Sequence, residues 1–307
     1  MTSYNITCGN FKHKFPEIVI VSAATHYLRK KGKEKKSLME KKFEGIIPPI
    51  VTPFDEDGAI HETMLRSEMK ICMDAGADGL SVAGSTGEGP TIRDEEYGTC
   101  LLYTSAGYEK AKVSIEESLR KLKTDYIDLL LIHQPFNDYY GTYRAMEEAY
   151  REGKIRAIGV SNFYPDRLID LCHFVEVAPA VNQVETHVFN QQAGARETME
   201  KYKVQHESWG PFAEGRKDFF TNQTLNEIGA KYGKTAAQTA LRYMIQKNIV
   251  VIPKSVHIER MAQNFDVFDF ALDHFDMQRI AALDERESAF FSHYDPETVE
   301  FLTGLVK

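Results

Sequence analysis

A chain of 307 residues, 43% apolar and 27% charged, is long enough for a sizeable core and too apolar for wholesale disorder. Its net charge of −8 argues against a nucleic-acid binder, and no apolar run approaches a membrane span, Leu129 to Ile132 being typical of the longest. Four cysteines (Cys8, Cys72, Cys100, Cys172) stand far apart with no CxxC pair, which reads as reduced thiols in a cytoplasmic chain.

The first 42 residues form a basic leader, with eight Lys or Arg against two Glu between Arg29 and Lys42. It reads as a solvated tail; Ile18–Ala24 is short for a signal sequence, and Pro16 and Glu17 interrupt the approach to it. Ile46–Val51 is then a β-branched apolar run, a buried strand. Leu65, Met69, Cys72, Met73 and Gly76 recur at helical spacing, and Gly79–Ala83 is the next strand. A glycine-rich turn, Gly84–Pro90, closes this β–α–β unit. Thr99–Thr104 supplies a short strand. Tyr108, Ala111, Ile115, Leu119 and Leu122 predict an amphipathic helix, followed by the strand Asp128–His133.

From there the alternation is regular. Helices are predicted at 143–152, from Pro165, and at 196–202, 224–232, 235–246, 259–264 and 277–283. The strands between them are 155–160, 180–184, 204–207 and 249–252. Eight strands alternating with helices is the arithmetic of a (β/α)8 TIM barrel. A doubly wound sheet is the competitor, and the GxGxxG expected after its first strand is absent.

Reactive groups of such a barrel sit at the C-terminal strand ends. Those positions are Thr52–Asp55, Gly84–Glu88, His133–Gln134, Ser161–Asn162, Gln183–Glu185, Trp209 and Pro253–Ser255. They are polar, hold one histidine, and lack metal-ligand spacing. Ser161, Asn162 and Gln183 are uncharged donors and acceptors suited to a carboxamide. Lys254, Ser255 and Arg260 can gather donors around a phosphate. Singly, each has a plainer reading: a hydrogen-bonded core histidine, a core tryptophan, solvated surface cations.

Taken together, Leu130–Pro135, Gly159–Phe163, Asn182–Glu185 and Ile252–Val256 with Arg260 and Asn264 resemble, in order and spacing, the signatures of aldo-keto reductases. The resemblance covers about 106–307. It implies hydride transfer from NADPH, bound as NADP(H), to a small aldehyde or ketone. His133 would polarise the carbonyl, Ser161, Asn162 and Gln183 would hold the nicotinamide, Trp209 would stack on it, and Lys254, Ser255, Arg260 and Asn264 would hold the adenosine phosphate end. Gln263 stands where that family often has Glu. The family's Asp, Tyr and Lys come from the N-terminal half of its barrel and have no counterpart here, although Glu88, Thr104 and Ser105 could fall near the mouth.

Residues 43–98 resemble another barrel family, the dihydrodipicolinate synthase/N-acetylneuraminate lyases, through Phe43–Ile46, Thr52–Phe54, Ala75–Gly79 and Gly84–Glu88. That resemblance implies a carboxylate-binding GxTGE loop and a Schiff-base lysine on strand six, where this chain has none. The chain thus divides into a leader (1–42), a lyase-like fragment (43–98), a junction (99–105) and a reductase-like portion (106–307). Cys100–Ser105 resembles a translated sequencing-adapter fragment, and residues 1–38 read as translated upstream DNA. A fused or artificial join is favoured over an evolved hybrid, and strands one to three are expected to pack poorly against the rest. Two other functions stay open: a pyruvate-dependent aldolase or lyase, and a non-catalytic chimeric barrel.

Overall fold

The computed structural model describes residues 45–50, 61–80, 101–102, 107–122, 124–255 and 257–304. The leader, Thr52–Asp55, the Gly84–Pro90 turn with Glu88, and Thr104–Ser105 lie outside the described residues. In chain order the elements begin with α1 (Glu62–Asp74), β1 (Leu101–Leu102), α2 (Tyr108–Leu122), β2 (Leu130–Ile132), α3 (Tyr139–Arg151), β3 (Ile158–Ser161), α4 (Pro165–Phe174) and β4 (Val181–Glu185). They continue with α5 (Ala193–Tyr202), β5 (Gln205–Trp209), α6 (Gln223–Tyr232), α7 (Ala236–Gln246), β6 (Val250–Val251), α8 (Ile258–Phe265), α9 (His274–Ala281) and α10 (Pro296–Gly304).

The strands pair in parallel in the order β1-β2-β3-β4-β5-β6. Each is followed by a helix, the right-handed crossover that parallel neighbours require. Past β6 the wall continues into the start of the described chain. Ile47 N–H donates to Val251 C=O at 2.9 Å and Val251 N–H to Gly45 C=O at 3.1 Å. On the other side of that segment, Asp78 N–H donates to Ile46 C=O at 3.0 Å. The first strand position therefore lies beside the last, the closure of a TIM barrel.

Three apolar layers follow from the alternation of side chains along the strands. Ile47, Leu129, Leu131, Val181 and Val250 fill the inside of the sheet. Gly159 belongs to this layer for steric reasons: a Cβ there would stand 2.2 Å from Leu131 Cδ2. Outside, one cluster packs α2, α3, α4 and α5 on β2–β4. The other joins Ile46, Ile50, Leu65, Met69 and Cys72 to Leu241, Tyr243, Val251 and Met261. The described N-terminal residues thus share a core with the C-terminal ones, where poor packing was expected. Gly45 makes the close approach possible, since its φ is +89° and a Cβ would meet Asp78 Oδ2 at 2.0 Å. That carboxylate accepts from Ile46 N–H at 2.9 Å.

The elements differ from expectation mainly at their ends. α3 begins at Tyr139 rather than Tyr143 because Asp138 caps it, accepting from Gly141 N–H at 2.8 Å. β5 runs to Trp209, two residues beyond the expected 207. Glu207, the expected last residue of this strand, is 1% exposed, inside the sheet. α10 carries no core-facing pattern, and none of its residues is buried.

Candidate active site

Register fixes the site. Ser161 pairs with Gln183, and Gln183 with Glu207, so three polar residues occupy one row across β3, β4 and β5. His133 follows the last residue of β2, Ile132, which pairs with Val160. One row nearer the C-terminal ends, Glu185 stands beside Trp209. The barrel thus brings together His133, Ser161, Asn162, Gln183 and Trp209, as the motifs imply.

Asn162 is the hub. Its φ of +62° is a left-handed conformation that Asn tolerates better than most residues. This turns its side chain back over the strand ends. Nδ2 donates to His133 C=O and to Ser161 Oγ, both at 3.1 Å, and Oδ1 accepts from Trp209 Nε1 at 2.9 Å. Ser161 Oγ donates to Gln183 C=O at 2.9 Å, and Gln183 Nε2 to Glu207 Oε1 at 2.6 Å. Burial pushes the Glu207 carboxyl up to about 7, the Gln183 bond offsetting part of that, and Oε2 has no hydrogen-bond partner among the described residues. His133 is half-buried; desolvation, and after it the neighbouring His293, push its imidazole down to about 4. At neutral pH it is an uncharged group, able to hydrogen-bond a carbonyl oxygen.

A segment from Glu285 to Tyr294, which sequence reasoning missed, covers this row. Glu185 is its anchor, accepting from Ser288 Oγ–H and, at 2.8 Å, from Ala289 N–H. His187 Nε2 lies 3.0 Å from Glu185 Oε1, and these bonds hold the Glu185 carboxyl below the usual range although burial opposes them. Phe290 and Phe291 lie against Trp209 with ring centroids 5.2 and 6.4 Å away. Arg216 donates to Ala289 C=O at 2.7 Å and its guanidinium lies 4.6 Å from the Phe290 centroid. His293 Nε2 lies 2.9 Å from Gln134 Oε1. No local periodicity marks this segment, because its role comes from partners distant in the chain.

The second group of expected residues follows β6. Lys254 and Arg260 are exposed and have no ion-pair partner among the described residues. Ser255 Oγ accepts from His257 N–H at 3.1 Å, shaping the turn into α8. Asn264 is buried on α8. Pro253, Ser255, Met261, Asn264 and Phe265 line a narrow cleft whose other wall is Pro48, Pro49, Glu68 and Cys72. The N-terminal described residues therefore face Ser255 and Asn264 across this cleft, which Lys254 and Arg260 do not line. Among the described residues, no group of His, Cys, Asp and Glu could hold a metal ion, and no helix is long and apolar enough to cross a membrane.

The aldo/keto reductase family matches residues 104–285, more than half of the chain. The chain belongs to this family. The glyoxal reductase of Bacillus subtilis (strain 168) is 41% identical over 202 residues, 65% of this chain and 72% of its own length. The methylglyoxal reductase of Escherichia coli (strain K12) is 39% identical over 196 residues, 63% of this chain and 71% of its own. Among solved structures, an aldo-keto reductase from a Medee basin deep-sea metagenome library aligns with a TM-score of 0.69 and 33% identity, covering 86% of this chain and 97% of that one. The aldo-keto reductase of the silkworm Bombyx mori, solved with NADPH, aligns with a TM-score of 0.67 and 25% identity, over 80% of this chain and 86% of that one. The dihydrodipicolinate synthetase family matches residues 42–115, so two barrel families meet in one aldo/keto reductase chain. Their matches overlap across the start of α2. β4, the sixth strand of the sequence count, reads Val-Asn-Gln-Val-Glu and offers no lysine for Schiff-base chemistry.

Proposed function

We propose that this chain is an NADP(H)-binding reductase of small carbonyl compounds whose chemical step is impaired. The observation that carries the reading is the Asn162 hub, which ties His133, Ser161 and Trp209 into one hydrogen-bonded unit. Its remaining valences suit a carboxamide. Asn162 Oδ1 keeps one lone pair, Ser161 Oγ keeps another, and half-buried Gln183 keeps its Oε1 and one N–H after bonding Glu207. Trp209 is half-buried and offers a ring beside them. Lys254, Ser255 and Arg260 supply cationic and hydroxyl donors to a phosphate, and Asn264 supports α8 from its buried side. NADPH, when bound, supplies the hydride. His133 orients the carbonyl and hydrogen-bonds its oxygen.

We read the fragment at 43–98 as lyase-derived, residues 99–105 as its junction, 106–307 as the reductase portion and 1–42 as a leader. The reductase's tyrosine, lysine and aspartate would come from the part that the lyase-like fragment replaces. General acid catalysis typically contributes ~10²–10⁴-fold, and turnover falls by about that much without it. Substrates are small aldehydes or ketones, in keeping with the names of the bacterial relatives. Free, buried or half-buried Cys72 and Cys172 suit a cytoplasmic setting. Neither a nucleic acid nor a membrane is a partner in this reading.

The test uses Trp209, the one tryptophan of the chain. NADPH should quench its emission saturably, and NADH should require a higher concentration. An emission unchanged by both nucleotides after inner-filter correction would remove the cofactor reading. Reduction of a simple aldehyde at ordinary family rates would remove the claim of impairment. Trapping of pyruvate on the protein by borohydride would favour the lyase instead.

A further inference from the structure

Gln134, the residue after His133, holds a histidine that arrives 159 residues later in the chain. The amide oxygen Gln134 Oε1 can only accept, so His293 Nε2 carries the proton of their 2.9 Å bond and Nδ1 keeps its lone pair. That Nδ1 is buried and has no hydrogen-bond partner among the described residues. The residue is 9% exposed. Rings of Phe136, Tyr164 and Phe291 surround it, with centroids 6.1, 5.5 and 5.2 Å away. These come from the loops after β2 and β3 and from the covering segment, so His293 sits in the mouth and not in the outer helical layer. Desolvation pushes its imidazole down to about 4, so the lone pair persists at neutral pH. His133 lies close enough for His293 to depress its protonation as well. Gln134, which holds His293, directly follows His133 in the chain, and Phe291 lies against both His293 and Trp209, so the two imidazoles belong to the same mouth. A buried acceptor lacking a donor is unfavourable, and a ligand that brings a donor relieves it.

We propose that His293 is a second substrate-contacting residue: while His133 meets the carbonyl oxygen, His293 Nδ1 accepts a hydrogen bond from a hydroxyl on a neighbouring carbon, so the site selects short hydroxy-carbonyl compounds. This deepens the reductase reading and rests on it for the carbonyl at His133. Selection by a site built to accept a hydroxyl proton is sharp, because the analogue lacking that proton leaves the acceptor stranded.

Hydroxyacetone and methoxyacetone, similar in shape, differ in that hydroxyl proton. Titrated into the full chain and followed by long-range ¹H–¹⁵N spectra of the imidazoles, hydroxyacetone should bind roughly fivefold or more tightly than its methyl ether and shift the His293 Nδ1 resonance. His293→Phe, which keeps an aromatic ring, should abolish the preference, and His293→Gln, which keeps an acceptor, should retain part of it. Equal affinity for the two ketones, binding of neither, or a preference that survives in His293→Phe would each overturn the proposal. If the variants fail to fold, the ligand pair on the unaltered chain decides alone. NADPH quenching of Trp209, recorded on the same samples, separates the two readings. A lost NADPH response with the hydroxyl preference intact removes the cofactor assignment and leaves His293 standing.

Discussion

Glu207 is a carboxyl group inside a barrel wall, and its ionisation opposes folding. Unfolded, it titrates in the ordinary range near 4.5; folded, burial raises it to about 7. Between those values the native state holds a proton that the unfolded chain has lost, so stability declines as pH rises through this window and stays lower above it. Glu207→Gln keeps an oxygen for Gln183 Nε2 to bond and removes the titration. The variant should gain on the parent by roughly 3 kcal/mol between pH 5 and 8, read as the difference in urea midpoints; a difference that does not change with pH would contradict this. Arg260 carries an expectation of another kind. A charge-assisted contact is worth roughly 1.5–3 kcal/mol, so Arg260→Ala should weaken NADPH about tenfold or more and leave NADH nearly unchanged. Parallel losses for both nucleotides, measured by Trp209 quenching, would place the guanidinium away from the extra phosphate.

At the scale of elements, α7 and α8 are joined through one side chain. Thr235 and Gln238 form a reciprocal capping box, with Thr235 N–H donating to Gln238 Oε1 at 3.0 Å and Gln238 N–H to Thr235 Oγ1 at 3.3 Å. Gln238 Nε2 also donates to Asp266 C=O at 2.8 Å, at the C-terminal end of α8. Thr235→Ala should cost about 1 kcal/mol, the usual value of an N-cap. Gln238→Ala should cost more and should also weaken NADPH, because α8 carries Arg260 and Asn264; unchanged nucleotide affinity would show that α8 is held from elsewhere.

What the sequence made readable at this scale follows the same division. β2, β3 and β4 are short strands that end at or just before His133, Ser161–Asn162 and Gln183–Glu185, and strand alternation puts those residues at the mouth. Glu207 was not readable, since burial of a carboxylate depends on β5 continuing to Trp209 against neighbours on both sides. Nor was His293: its value lies in Gln134 and three rings from other loops, and nothing within the covering segment records them.

The whole molecule combines titrations of opposite sign. Burial holds His133 and His293 neutral down to about 4 and His206 down to about 3, while in the unfolded chain each takes up a proton near 6.5. Below 6.5 the unfolded state binds the extra protons, so these three histidines lower stability as pH falls, while Glu207 raises it over part of that range. Three histidines outweigh one carboxyl, so stability should fall as pH drops below about 7 and change little between there and pH 8; thermal midpoints across pH 4 to 8 test it, and a maximum at the acid end would sink the account. Synthesis adds a different constraint. Both oxygens of Glu185 are taken by groups 103 and 104 residues downstream. While the ribosome is still making those residues, His133, Asn162 and Trp209 have already left it, with no cover over them. A transcript cut short before Ser288 would encode every signature residue of the mouth and still yield an open basin, wetted by solvent, in place of a chamber.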